Sequence, residues 1–445
     1  MEATIVATEV SGWNQYGEFQ ETPFPWMAKI PSHWFIRKVG YFFQATKGKR
    51  GQQLTKEYCA VNSGSYPVYS GQTEDEGVMG FIDDFEFDYS EDGVLFSTTV
   101  GAKAMHVKLL QGKFSLSQNC MILWPNVSGF FVPYFYHLFQ TLFAYERAMI
   151  PEHMQASFRM EDLYGFRICL PPLPEQRAIA AFLDRETARI DAMIGHKQRL
   201  IALLEEKRQA VISHAVTKGL DPNIETRSSG VEWVEKVPQP WTTCALKYTW
   251  RQCDYGLSDS LGGVGEIRVL TMGNVRDGLV EIPQHGAWND VPDEMLVVDG
   301  DLLYNRTNSQ IHVGKVGLFR ELPGVRVSFA SYLVRLRFNA RADAKYMSYF
   351  LNSGGFLKTA QSIAFPSINQ SNLNPTRYGA LKVTLPPIEE QRRIVLFLEN
   401  ELNQLSELAN KIAISVEKLL EYRTALISAA VTGQIDVRDE VQLDG

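Results

Sequence analysis

The run LPPLPEQRAIAAFL begins at Leu170 and returns, as LPPIEEQRRIVLFL, at Leu385. Aligned without a gap, residues 170–217 and 385–432 are identical at 19 positions, including Ile179/Ile394, Phe182/Phe397, Arg208/Arg423 and the closing Thr217/Thr432. A repeat constrains the fold more than any local propensity, because a duplicated segment builds the same element twice. The chain is a tandem duplication in which each half carries a variable segment followed by a common one.

The common segment reads as a long helix. From Pro174 to about Thr217 the apolar residues Ile179, Leu183, Ile190, Met193, Leu200, Leu204, Val211 and Ala215 recur mostly at steps of three and four. That spacing draws one apolar stripe on an α-helix. Pro174 suits a first turn, Glu175 the positive helix end, and Gly219 a stop. The second copy repeats the stripe through Ile394, Leu398, Leu405, Leu408, Ile412, Leu419, Leu426 and Ala430, and ends at Gly433. A helix of about 43 residues is roughly 65 Å long. A stripe of that length needs a partner, and its own duplicate is the obvious one; the alternative is that each helix docks on its own domain. Each helix starts where its globular segment ends, so the short link KGLDPNIETRSSG suffices only for an antiparallel pair. The expected shape is a dumb-bell with approximate two-fold symmetry.

The variable segments, residues ~20–169 and ~231–384, are related more loosely. Both open on a Pro three residues before a Trp, Pro31/Trp34 and Pro238/Trp241. DGVLFSTTVGAKAMHV (Asp92–Val107) parallels DGDLLYNRTNSQIHVGKVGLF (Asp299–Phe319): a turn, an apolar strand, a polar loop, a second strand. Both later carry an aromatic helical patch, VPYFYHLF and AKYMSYFL. The expectation is an α+β chain with a mixed β-rich domain used twice.

Net charge is −7, which at first sight argues against a nucleic-acid partner, since neutralising phosphates needs Lys and Arg. The average hides a pattern: nine acids and no base between Glu74 and Asp92, against basic clusters such as TKGKRG (Thr46–Gly51). No apolar run reaches the ~18–20 residues that span a bilayer. The opening MEATIVATEVSGWNQYGE has no basic stretch ahead of an apolar one, so no secretory signal is expected. Five scattered cysteines without a CxxC pair read as thiols of a reducing cytoplasm, with no disulfide framework or structural metal.

The sequence offers no motif for catalysis. LNPTRYG (Leu373–Gly379) lacks the second Pro of an Asn-Pro-Pro-aromatic methyltransferase motif, and LGGVGEIR (Leu261–Arg268) does not fit G-x-G-x-x-G. There is no phosphate-binding loop for ATP and no zinc-ligand spacing among eight histidines; His106 and His312 read as structural. DNA reading has better instruments, since Arg, Lys, Asn, Gln, Ser and Thr match base-edge patterns. NRTNSQ contributes Asn305, Arg306, Thr307, Asn308 and Gln310, with Lys315 downstream; its counterpart STTVGAK contributes Ser97, Thr98 and Lys103. Lys47, Lys49 and Arg50 of TKGKRG suit phosphates, with Gly48 and Gly51 allowing close backbone approach. SINQSN (Asn369, Gln370) and SLSQNC (Gln118, Asn119) are weaker candidates. For each of these the plain alternative is a solvated turn.

The order of variable domain, helix with the LPPLPEQ start, variable domain and helix, together with SSGVEWVEKVPQPW (Ser228–Trp241), resembles a specificity (S) subunit of a type I restriction–modification system. The resemblance implies a first target recognition domain over 1–169, a conserved helix over 170–220, a linker over 221–240, a second recognition domain over 241–384, a second helix over 385–436 and a tail over 437–445. It implies that each recognition domain reads one half of a split, asymmetric duplex sequence, with the helices as spacer and as dock for modification subunits, two of them. Glu175, Gln176, Arg177, Glu390, Gln391 and Arg392 are candidates for that dock. The chain itself would hold no cofactor; S-adenosylmethionine, ATP and Mg²⁺ would belong to the modification and restriction partners. A duplex turn is about 34–36 Å, so helices of this length can hold two modules at least one turn apart. The other reading is a non-catalytic assembly scaffold whose end domains bind proteins.

Overall fold

The computed structural model describes residues 12–72, 74–101, 103–151, 153–258, 265–368 and 370–440. They form two compact units that do not follow chain order: one from the described parts of 1–198 and 414–445, the other from 199–413. The layout expected from sequence places the cuts at the ends of the helices; these units instead divide both helices near their middles.

In the first unit a six-stranded sheet contains β1 (Phe43–Thr46), β2 (Tyr66–Tyr69), β3 (Val78–Ile82), β4 (Phe87–Thr98), β5 (Val107–Leu116) and β6 (Cys120–Pro125), in the order β1-β6-β4-β5-β2-β3. Its central strands are buried on both faces over Val94–Thr98 and Cys120–Leu123, because alternate residues serve different cores. Leu95, Met121 and Leu123 face helix α1 (Val132–Ala148) and its Phe135, Phe139 and Phe143, while Val94, Phe96 and Ile122 pack with Leu110 and Phe114 on the other side. The long helix α2 (Leu173–Lys218) starts in this unit.

The second unit repeats the plan. Strands β7 (Trp250–Tyr255), β8 (Val275–Arg276), β9 (Leu279–Val280), β10 (Leu302–Asn305), β12 (Val316–Leu318) and β13 (Leu333–Phe338) stand in the order β7-β13-β10-β12-β9-β8. Strand β11 (Thr307–Asn308) leaves that sheet for a separate one with β14 (Phe365–Ser367) and β15 (Gln370–Asn372). Helix α3 (Ala344–Leu351) lies between β13 and β14, and the long helix α4 (Ile388–Val431) follows both sheets. Each six-stranded sheet contains one parallel pair, β2 with β5 and β9 with β12. The outer two strands, however, come in opposite chain order: β2 before β3, but β9 after β8.

The helices run antiparallel. In the first unit Ile179, Leu183 and Ile190 of α2 share a core with Leu426, Ile427 and Ala430 near the end of α4, and Arg423 bonds Asp191 at 2.9 and 3.1 Å. In the second, Leu204, Ile212 and Val216 of α2 share a core with Ile394, Leu398 and Leu405 near the start of α4. No described helix is long and apolar enough to cross a membrane.

One junction, built once in each unit, explains why three short motifs were duplicated together. Trp34 donates its indole N–H to Glu175 at 2.9 Å, and Trp241 donates to Glu390 at 3.0 Å. Tyr134 donates to the Val431 carbonyl at 3.2 Å, and Tyr346 to the Val216 carbonyl at 3.3 Å. The glycine that ends each long helix is left-handed, at φ +69° for Gly433 and +76° for Gly219. Gly433 sits on Pro31 and Trp34, where a Cβ would come within 2.3 Å of the proline ring; Gly219 sits beside Trp241 and Pro238. The segment after Gly433 is docked on the first unit: Ile435 and Val437 are buried, and the Asp436 N–H donates to the Asn14 carbonyl at 2.8 Å.

Candidate nucleic-acid interface

At one edge of the first unit's sheet, backbone hydrogen bonds join four loops. The Gln118 N–H donates to the Gly51 carbonyl at 2.8 Å, the Thr99 N–H to the Asn119 carbonyl at 2.8 Å, and the Phe158 N–H to the Thr99 carbonyl at 2.7 Å. TKGKRG, the loop after β4, the β5–β6 turn and residues 154–158 are therefore neighbours. Lys47, Lys49, Lys103, Gln118 and Asn119 are exposed on these loops. Asn119 takes the left-handed conformation, φ 67°, that turns β5 into β6. His106, read from sequence as structural, is exposed here; partial desolvation of its ring, then the Lys108 and Lys103 charges, lower its pKa.

Two of the first unit's predicted readers are not available. Ser97 and Thr98 are buried at the end of β4, and the Thr98 hydroxyl donates to the Lys103 carbonyl and accepts from the His106 N–H. Both faces of the strand are still covered where the polar run begins, so these adjacent hydroxyls are buried although they point to opposite sides. Arg50 also has another job: it pairs with Asp84 and donates to the Tyr58 hydroxyl at 2.9 Å. The acidic run is thereby accounted for in part. Asp84 neutralises Arg50, Glu86 accepts from the Lys49 N–H, and Asp88 lies 3.8 Å from Lys113. Gly48 serves the same packing rather than close approach of a duplex. A Cβ there would lie 2.7 Å from the Leu116 carbonyl and 2.9 Å from Glu86.

In the second unit the Arg306 and Thr307 N–H groups donate to the Tyr332 carbonyl at 3.0 and 3.2 Å, and the Leu373 N–H donates to the Arg306 carbonyl at 2.8 Å. This last bond is the equivalent of Phe158 to Thr99. Asn305 is buried, with its side-chain oxygen unpartnered. Arg306 is half-buried over the Tyr255 ring, 5.1 Å from its centroid, and donates to the Ser331 carbonyl at 2.9 Å. Thr307 accepts from Asn372 at 2.9 Å, Asn308 accepts from the Ser309 N–H at 2.8 Å, and Gln310 bonds Ser371 and the Gln361 carbonyl. Lys315 lies 3.3 Å from the exposed His312, also read from sequence as structural. Gln370 is exposed, and Asn369 lies outside the described residues. Around these loops Tyr255, Tyr332, Phe365 and Ile368 are exposed, and Arg377 covers the Phe365 ring at 3.5 Å. A polar loop rimmed by exposed aromatic rings and arginines suits nucleic acid chemically.

The segment that stands in the first unit where SINQSN stands in the second is residues 152–157, which the reading of the sequence did not single out. The available signal was the repeat itself, since Pro151 and Gln155 stand 215 residues before Pro366 and Gln370.

The helix starts divide in two. Glu175, Gln176 and Gln391 are buried and their polar atoms are used within the chain. Gln176 accepts from the Phe131 N–H at 2.9 Å, and Gln391 from the Asp343 N–H at 2.8 Å. Glu390 is half-buried on Trp241. Arg177 and Arg392 are exposed, Arg177 near the Phe131 ring and Arg392 paired with Glu389. Leu200, Leu203, Leu396, Leu408, Ile414 and Leu420 are exposed along the helices.

Asn374, in the LNPTRYG run, caps the short helix Pro375–Ala380 by accepting from the Arg377 N–H at 2.9 Å. Among the described residues no group of three or more His, Cys, Asp or Glu side chains is placed to hold a metal ion.

The family model for the type I restriction modification DNA specificity domain matches residues 31–202. The EcoKI type I restriction enzyme specificity subunit of Escherichia coli is 24% identical over 276 residues, covering 60% of this chain and 57% of that protein. The MjaVIII specificity subunit of Methanocaldococcus jannaschii is 21% identical over 429 residues, covering 92% and 95%. The chain spans about half the length of the first curated relatives it matches. A solved chain from a study of assembly and conformational transition in a type I restriction–modification system shares the fold at TM-score 0.67 and 16% identity, covering 90% of this chain and 98% of that one. Within its first half the chain matches the type I restriction modification DNA specificity domain, and over nearly its whole length it is similar to type I restriction–modification specificity subunits.

Proposed function

We propose that this chain is the DNA sequence-recognition subunit of a type I restriction–modification complex. Each β-rich domain reads one half of a bipartite, asymmetric target, and the helices set the spacing and dock two modification subunits. Restriction subunits join for cleavage. S-adenosylmethionine, ATP and Mg²⁺ act in those partners, the chain itself is not an enzyme, and the assembly works in the cytoplasm.

One observation carries this reading: the same four-strand arrangement and the same backbone bridge are built twice, while the loops on them differ. Thr99, Val100 and Gly101 in one domain stand where Arg306, Thr307 and Asn308 stand in the other. Similar mounts with different side chains are what two readers of different words require. The exposed leucines on the helices support docking of large partners.

The test is to map methylated bases in the host genome with this chain, without it, and with residues 20–169 exchanged for another such domain. Loss of one motif without the chain, and a change in one half-site on exchange, is the expected result. A change in both halves overturns the division of labour, and an unaltered methylation map overturns sequence recognition in favour of a protein scaffold.

A further inference from the structure

Immediately before the long repeat, the two halves have lost almost all common sequence. Across residues 148–169 against 363–384 only Pro151/Pro366 and Gln155/Gln370 are identical. The pairing is structurally correct, because Phe158 and Leu373 occupy equivalent places in the bridge to the polar loop, at 2.7 and 2.8 Å. What has diverged includes the buried residues that fold the segment: Phe158/Leu373, Leu163/Tyr378, Ile168/Val383. What has stayed is exposed. Pro151 and Pro366 restrict the backbone just ahead of the glutamine. The Gln155 and Gln370 side chains are exposed and hydrogen-bond to no other group among the described residues.

Folding does not explain an exposed, unbonded glutamine that persists while the core beneath it drifts. Base reading explains it no better, since domains reading different words need different readers, and their loops do differ. A contact to what every duplex shares must be the same in both. We propose that Gln155 and Gln370 are positioning residues that donate their side-chain amides to the sugar–phosphate backbone, setting the register of the adjacent polar loop over the base edges. The proposal rests on reading both domains as DNA-binding.

The experiment measures fluorescence anisotropy of the full chain with two labelled duplexes, one of random sequence and one carrying the motif mapped from the genome. Gln155→Ala and Gln370→Ala are each expected to weaken both duplexes by the same factor, about fivefold for one lost hydrogen bond. The salt dependence should keep its slope, because a neutral donor displaces no counterion. Unchanged thermal unfolding would show that the loss is not structural. Full affinity in either variant overturns the proposal, as does weakening confined to the motif duplex, which would make the glutamine a reader. A wild-type chain that binds neither duplex overturns the DNA reading itself, a different failure from that of the glutamines.

Discussion

Replacing Gln391 by alanine should loosen the second unit where its domain meets its helix. Gln391 is fully buried. It accepts from the Asp343 N–H at 2.8 Å and donates to the Arg341 and Pro386 carbonyls at 2.9 Å each. Alanine leaves the buried Pro386 carbonyl and the partly buried Arg341 carbonyl and Asp343 N–H without that partner. At about 1 kcal/mol for each bond the loss is about 3 kcal/mol. That raises the population of locally opened chain roughly a hundredfold. Amide hydrogen exchange is the assay, because two compact units do not guarantee a single unfolding transition. Peptides covering residues 339–351 and 386–395 should exchange about a hundred times faster. Gln391→Glu separates bonding from packing. It keeps the shape but sets a carboxylate against two carbonyl oxygens, so it should cost at least as much as alanine. Gln176→Ala should act in the same way on residues 129–135 of the first unit. Acceleration below about fivefold in Gln391→Ala, or a wild-type rate in Gln391→Glu, would refute the reasoning.

Lys47→Ala and Lys49→Ala should each reduce the slope of log affinity against log salt by about 1 if they meet phosphates. Arg50→Ala should leave that slope unchanged, because Asp84 already neutralises it; a binding titration over a salt series decides. Asp254→Ala leaves the fully buried Arg335 without its carboxylate. Because the Asp254 side chain is 32% exposed, the expected cost is about 2–3 kcal/mol, below the ~3–5 kcal/mol of a fully buried pair, read as a shifted urea midpoint. Burial pushes the Cys120 and Cys169 thiols up to about 12. Both should resist iodoacetamide at pH 8 in the folded chain, and rapid labelling without unfolding would contradict their burial. The folded state holds these protons more tightly than the unfolded one, so their contribution is complete below about pH 9 and lost as pH rises towards 12. Stability should therefore fall across that window.

Much of the architecture was legible because it was spelled twice. A single apolar stripe repeated 215 residues apart carries both the helices and their direction, since the link between them is short. The candidate interface was legible only as a neighbourhood. The polar runs after β4 and β10 were found, but not which of their side chains face outward. Ser97 and Asn305 look like readers in the sequence and are core in the fold.

What the sequence determined by itself is periodicity and recurrence: two long helices, two related β-rich domains and a common junction, because spacing along the chain sets which face of an element is apolar. What only the tertiary structure decided is commitment. Whether Arg50 is free depends on Asp84, and whether Glu175 faces a partner depends on Trp34, 141 residues away. A side chain's availability is set by neighbours that folding brings from distant parts of the chain, and no local pattern encodes which of them arrive.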